Sequence, residues 1–120
     1  MEKIANYING KLVKPNSGKY IDNFSPVNGR VYSLTPNSGE KDVDAAFRAA
    51  KKAFSLWGQS TRQYRHDWMI RLADAIDNCG KELAKAESFD NGKPLWLAKT
   101  VDIPRCSANL RFFATAILHF

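Results

Sequence analysis

The sequence has no apolar run near the roughly 18 residues that a membrane-spanning helix needs. Its start, Met1-Glu2-Lys3-Ile4-Ala5-Asn6, lacks the apolar core and small-residue cleavage site of a secretory leader. Two cysteines, Cys79 and Cys106, are too few for a disulfide scaffold, and their separation matches no zinc-finger spacing. Each falls in or beside a helical pattern, so a buried, reduced thiol is the expectation. Two histidines, His66 and His119, offer no pair at metal-site spacing. The seven glycines, Gly10, Gly18, Gly29, Gly39, Gly58, Gly80 and Gly92, stand too far apart for a dinucleotide fingerprint or a P-loop. No repeat or low-complexity segment occurs. These absences leave a soluble, cytoplasmic chain with no nucleophile–base pair, no phosphate loop and no metal cluster legible in the sequence.

What is present is a globular composition: 120 residues, 44% hydrophobic, with 18 Lys/Arg against 12 Asp/Glu for a net charge of +6. Residues 1–60 hold nine basic and five acidic residues, and residues 61–120 hold nine and seven. A nucleic-acid surface gathers its basic residues on one face or arm, whereas here they are interspersed with acidic ones. The expectation is therefore a mildly basic solvated surface and no nucleic-acid partner. Asn23-Phe24-Ser25 matches a glycosylation sequon, which carries little meaning without a secretory leader.

The chain changes character near residue 37. Residues 1–36 read as strands and turns. Tyr7-Ile8-Asn9-Gly10-Lys11-Leu12-Val13 is a hairpin signal, because Asn-Gly fills the two left-handed positions of a type I′ turn. Short strands are expected at 20–24 and 30–34, separated by the turn at Pro26 and Gly29, with Thr35-Pro36 closing the region.

Residues 37–120 read as helices. One spans about 40–56, with Val43, Ala46, Phe47, Ala50 and Phe54 on one stripe and Asn37 or Ser38 as the cap. A second spans about 61–78, capped by Ser60 or Thr61. Its stripe is Trp68, Leu72, Ala73 and Ile76, and Gly80 is the expected left-handed residue past its end. Phe54, Trp57, Tyr64 and Trp68 are expected in a helix–helix core. A third helix covers about 81–89, where Glu82, Glu87 and Asp90 read as solvated charge. Pro94 suits the first position of a short helix. Pro104 cannot sit deep in a helix without removing a hydrogen bond, so a break is expected near 101–102 before a last helix from about 104. That helix carries Leu110, Phe113, Ala114, Ile117 and Leu118, and the apolar finish at Phe120 reads as a piece of a longer chain.

Two stretches carry a resemblance. The first runs from Tyr7-Ile8-Asn9-Gly10-Lys11 through Ser25-Pro26-Val27-Asn28-Gly29-Arg30-Val31 and Pro36-Asn37-Ser38 into Asp42–Phe54, with Trp57 behind. The second comprises Glu82-Leu83-Ala84, Glu87-Ser88-Phe89-Asp90-Asn91-Gly92-Lys93-Pro94, Asp102-Ile103-Pro104-Arg105 and Leu110-Arg111-Phe112-Phe113-Ala114. Order and spacing resemble the N-terminal region of NAD(P)-dependent aldehyde dehydrogenases. Asp-Ile-Pro-Arg with Arg-Phe-Phe-Ala is most similar to the 2-aminomuconic semialdehyde dehydrogenase branch.

The resemblance implies an α/β fold. In it this segment is a β-hairpin and short strands followed by about four helices, an incomplete Rossmann-type unit within one domain. It implies a longer parent that oxidises an aldehyde to a carboxylic acid with NAD, through a cysteine nucleophile and a glutamate base, as a homo-oligomer. That nucleophile, base and cofactor loop have no counterpart in residues 1–120. The expectation is thus an N-terminal fragment that is inactive alone and binds no NAD by itself. A non-catalytic helical module that associates with full-length subunits is the alternative. Asp102 corresponds to a position where some members hold a monovalent cation with carbonyls near Asn23-Phe24. It reads first as the N-cap of the helix at Pro104, ahead of the cation.

Overall fold

The computed structural model describes residues 1–120. It divides into two compact units, Met1–Gln59 and Ser60–Phe120. The division falls after the first helix rather than at the change of composition near residue 37.

In the first unit, β1 (Glu2–Lys3), β2 (Asn6–Ile8), β3 (Lys11–Val13), β4 (Tyr20–Phe24) and β5 (Val31–Pro36) precede α1 (Glu40–Trp57). β2 and β3 form the expected hairpin, pairing Tyr7 with Leu12. Asn9 and Gly10 hold φ of 53° and 76°, the two left-handed positions that Asn-Gly supplies cheaply. The other sheet has the order β1-β5-β4: β4 runs antiparallel to β5, with a bulge at Asn23/Phe24, and β1 runs parallel to it. The Glu2–Lys3 strand has no sequence signature; it forms because the β5 edge accepts it. β5 also runs two residues past the expected end, through Pro36, which pairs with Tyr20. Proline is tolerated at such a strand end.

α1 starts differently from expectation. Gly39 is the N-cap residue, and Asp42, not Asn37 or Ser38, supplies the capping carboxylate. Asp42 Oδ2 accepts the Gly39 N–H at 3.0 Å, and Oδ1 accepts the Asn16 N–H at 2.8 Å. One buried carboxylate thereby fixes both the helix start and the 15–18 loop. Ser38 instead exchanges hydrogen bonds with Asn6.

The second unit holds α2 (Arg62–Asn78), α3 (Gly80–Asn91), α4 (Leu95–Leu97), a π-turn (Ala98–Asp102) and α5 (Ile103–His119). Thr61 caps α2, its Oγ1 accepting the Tyr64 N–H at 3.1 Å. Gly80 is not left-handed. Cys79 closes α2 and α3 follows at once, with Gly80 as its first residue. Gly92, at φ 76°, is the left-handed cap, and it ends α3.

The expected break near 101–102 is absent, and the helical path runs from Leu95 to His119. The Ile103 N–H bonds the Ala98 carbonyl, five residues back. That widened turn lets Pro104, near the start of α5, enter without its missing N–H leaving a ladder gap.

The core is made of small residues. The buried hydrophobic side chains are Ala73 on α2, Ala84 on α3, Ala98 in the π-turn and Ala114 on α5. They let α2 lie close along α5. The expected aromatic core is not realised: Phe54, Trp57, Tyr64 and Trp68 are all exposed. Both cysteines are free and exposed rather than buried, Cys79 at a helix junction and Cys106 on the outer side of α5.

Candidate functional site

The densest polar arrangement surrounds the Asp90-Asn91-Gly92-Lys93-Pro94 turn. Gly92 reverses the backbone, which lets Asn91 Oδ1 accept the Lys93 N–H at 2.8 Å. Asn91 Nδ2 donates to Glu87 Oε1 at 2.7 Å, and Ser88 Oγ donates to the Lys93 carbonyl at 2.6 Å. The turn is therefore rigid, and it sends the Lys93 side chain toward the π-turn. There Nζ lies 2.7 Å from Asp102 Oδ2 and 3.7 Å from Glu87 Oε1. The Asp102 carboxylate holds the Lys93 ammonium above its usual pKa, with Glu87 adding to the effect.

Asp102 is thus half-buried and engaged, but not as expected of a cap. Its backbone is already helical, and its carboxylate makes no capping bond to α5. Its counter-charge comes from Lys93. No cluster of three or more His, Cys, Asp or Glu side chains exists that could hold a metal ion.

A second charged clasp joins α2 to α5. The Arg111 guanidinium spans two carboxylates, Nη1 to Asp74 Oδ1 at 2.8 Å and Nη2 to Asp77 Oδ2 at 2.5 Å. This use of a planar fork is one that lysine cannot copy. The Ser107 hydroxyl first, and then Arg111, pull the Asp77 carboxyl below its ordinary range. Near the start of α2, hydrogen bonds from His66 and Gln63 lower Asp67 in the same way. His66 thus pairs with an exposed neighbouring carboxylate. Neither thiol has a hydrogen-bonded base, so no nucleophile–base pair is assembled.

Neither of two grooves has the size of a dinucleotide site. A groove of about 190 Å³ lies between the hairpin and α1, lined by Tyr7, Ile8, Val43 and Ala46 among others. Another, of about 230 Å³, lies beside Asp77, Gly80, Lys81 and Lys99. Both fall below the ~300–1,000 Å³ typical of ligand pockets. The left-handed glycines, at 10, 18, 29 and 92, sit in separate turns rather than in one phosphate loop. No step of a reaction is assigned to NAD on these residues. The partners of Lys93 and Arg111 carry no signal in the sequence, since only the fold reveals which carboxylates they meet.

A model of the aldehyde dehydrogenase family matches residues 12–120. The 2-aminomuconic semialdehyde dehydrogenase of Mus musculus is 47% identical over 116 residues, which is 97% of this chain and 23% of that protein. Among solved structures, PnpE in complex with nicotinamide adenine dinucleotide superposes with a TM-score of 0.90 at 35% identity. It covers 93% of this chain and 23% of its own. The apo form of an indole-3-acetaldehyde dehydrogenase superposes with a TM-score of 0.94 at 30% identity, over 100% of this chain and 28% of its own. The chain therefore spans about a quarter of the length of the proteins it resembles, and it matches their N-terminal part. No helix is long and apolar enough to cross a membrane.

Proposed function

The chain belongs to the aldehyde dehydrogenase family, and on that premise we propose that it forms the N-terminal scaffold of an enzyme that oxidises 2-aminomuconic semialdehyde to its carboxylic acid with NAD. The observation that carries this reading is the 47% identity to the mouse enzyme across 97% of the chain. Residues 1–120 are then one part of a single dehydrogenase domain. The nucleophile, the base and the dinucleotide loop belong to the rest of the parent, which works in the cytoplasm as a homo-oligomer. The contribution of this segment is mechanical. The Lys93–Asp102 pair ties the end of α3 to the π-turn, and the Arg111 fork ties α5 to α2. A monovalent cation at Asp102 would have to share that carboxylate with the Lys93 ammonium.

A chimera tests the proposal. Residues 1–120 replace the matching segment of the mouse enzyme, and NADH formation is followed with the muconic semialdehyde. Activity within tenfold of the mouse enzyme is expected; a soluble chimera without activity overturns the reading. The isolated chain is expected to form no NADH from any aldehyde. Turnover abolished by Cys79→Ser or Cys106→Ser would show that the chain carries its own nucleophile.

A further inference from the structure

We propose that Asn9 is a site of spontaneous covalent modification, in which its side chain deamidates through a cyclic imide to isoaspartate, and that the fold singles it out among three asparagines of the same sequence context. The inference is independent of the reading above and needs only water as co-reactant.

The chain contains Asn-Gly three times, at Asn9-Gly10, Asn28-Gly29 and Asn91-Gly92. Glycine after asparagine favours the reaction, because no Cβ obstructs the approach of its backbone nitrogen to the side-chain amide. That nitrogen gives up its proton and attacks the asparagine Cγ. The new C–N bond closes the imide ring, and the Cγ–Nδ2 bond breaks to release ammonia, which carries away the proton. Water then opens the ring. Cleavage at the former backbone carbonyl leaves the chain running through Cγ as isoaspartate, and cleavage at Cγ leaves aspartate. Nothing is oxidised or reduced.

All three asparagines are exposed, so access to water does not separate them. Their glycine N–H groups do. Gly29 donates to the Ser25 carbonyl at 2.8 Å, and Gly92 donates to the Ser88 carbonyl at 3.0 Å. A nitrogen held in this way keeps its proton until the local structure opens. Both side chains are held as well. Asn28 Oδ1 accepts the Arg30 N–H at 3.0 Å, and Asn91 is fixed by Lys93 on Oδ1 and by Glu87 on Nδ2. Asn9 has neither restraint. The Gly10 N–H has no acceptor, and the Asn9 side chain makes no hydrogen bond. Nothing lies within 4 Å of the place a Cβ on Gly10 would take, so solvent base reaches the nitrogen.

Ring closure requires Asn9 to leave the left-handed region it holds at φ 53°. Here the opening is easy. β2 and β3 form a sheet of their own, with three residues in each strand, and a hairpin of that size is marginally stable by itself. Gly29, by contrast, lies in the connection between two paired strands of the other sheet, and Gly92 caps α3. Isoaspartate adds a methylene to the backbone and a carboxylate to the hairpin tip. The two-residue turn that sets Tyr7 opposite Leu12 is then lost.

The experiment incubates the chain at 37 °C and mildly alkaline pH. Peptides are mapped by mass spectrometry, and isoaspartate is detected by enzymatic methylation of its carboxylate. Asn9 is expected to react at least fivefold faster than Asn28 and Asn91. In guanidinium the three rates should converge, as the two protected sites speed up. Asn9→Gly retains the left-handed turn and should remove the fast phase of ammonia release. Tyr7→Cys with Leu12→Cys places a disulfide across facing positions of the hairpin. Oxidised, this variant should deamidate at Asn9 at least threefold more slowly, and reduction should restore the rate. Four results overturn the proposal: faster reaction at Asn28 or Asn91, equal rates at all three sites in native buffer, an order of rates that persists in guanidinium, or a clamped hairpin that reacts as fast as the reduced one.

Discussion

Lys93 and Asp102 are nine positions apart in sequence and 2.7 Å apart in space, Nζ to Oδ2. The contact ties the left-handed turn at Gly92 to the π-turn that begins α5. It depends on two conformational choices, neither of which is the default for a helical chain. The left-handed cap aims Lys93 forward, and the i→i−5 bond from Ile103 to Ala98 shifts the helix that carries Asp102.

Replacing Lys93 with Met is expected to loosen the π-turn while retaining the bulk of the side chain. Hydrogen exchange at the amides of 98–103 should quicken more than at α2, and Lys93→Arg should largely preserve protection. Unchanged exchange in the Met variant would mean that Pro104 alone sets the π-turn. Because the pair is solvent-accessible, the fall in melting temperature should be small.

Gly92→Ala tests the cap itself. An alanine held at a φ near 76° is strained by about 1–2 kcal/mol, so the urea midpoint should fall accordingly. Thr61→Ala removes the hydroxyl that accepts the Tyr64 N–H and should cost about 1 kcal/mol. A Gly92 variant of wild-type stability would show that the turn adopts another path.

The α2–α5 clasp predicts a pH dependence with a definite sign. The folded-state pKa of Asp77 lies below its ordinary 3.8, owing first to Ser107 and then to Arg111. Its stabilisation is therefore complete above the ordinary value and is lost as pH falls through the lower, folded one. Denaturation of wild type and Asp77→Asn should differ at pH 7 and converge in strong acid. A difference that stays constant down to pH 2 would remove the carboxylate from the account.

The interspersed charges predict weak, salt-driven contact with nucleic acid. Duplex binding should fade between low and physiological salt, because non-specific phosphate contacts depend on counterion release. Sub-micromolar binding that survives physiological salt would revive a nucleic-acid role.

The isolated chain should melt broadly and grow in apparent size with concentration. A core of alanines buries little area, while Phe47, Phe54, Phe112 and Phe113 meet water. Thermal melts with light scattering decide this. A sharp melt from a strict monomer would show that 120 residues suffice for independent folding.

Local chemistry determined a good deal of this protein. Asn9-Gly10 specified its hairpin because few other pairs enter two left-handed positions cheaply. The 3.6-residue period set the lengths of α1 and α2, and Thr61 marked the start of α2. The quoted motifs indicated the family, since they keep their order over nearly the whole chain. Tertiary structure decided what such signals cannot carry. Periodicity shows that a helix has an apolar side but not whether anything lies against it, which is why the stripe from Val43 to Phe54 looked like core and is surface. Gly80 and Gly92 both follow helical patterns, yet only Gly92 is left-handed, because α3 begins directly at Gly80. Pro104 signalled a break, but a backbone can widen by one residue instead of breaking, and the choice depends on what packs beside it. Asp102 for Lys93, Asn16 for Asp42 and Asp74 for Arg111 lie 9 to 37 positions away along the chain, so these pairs become neighbours only when the chain folds.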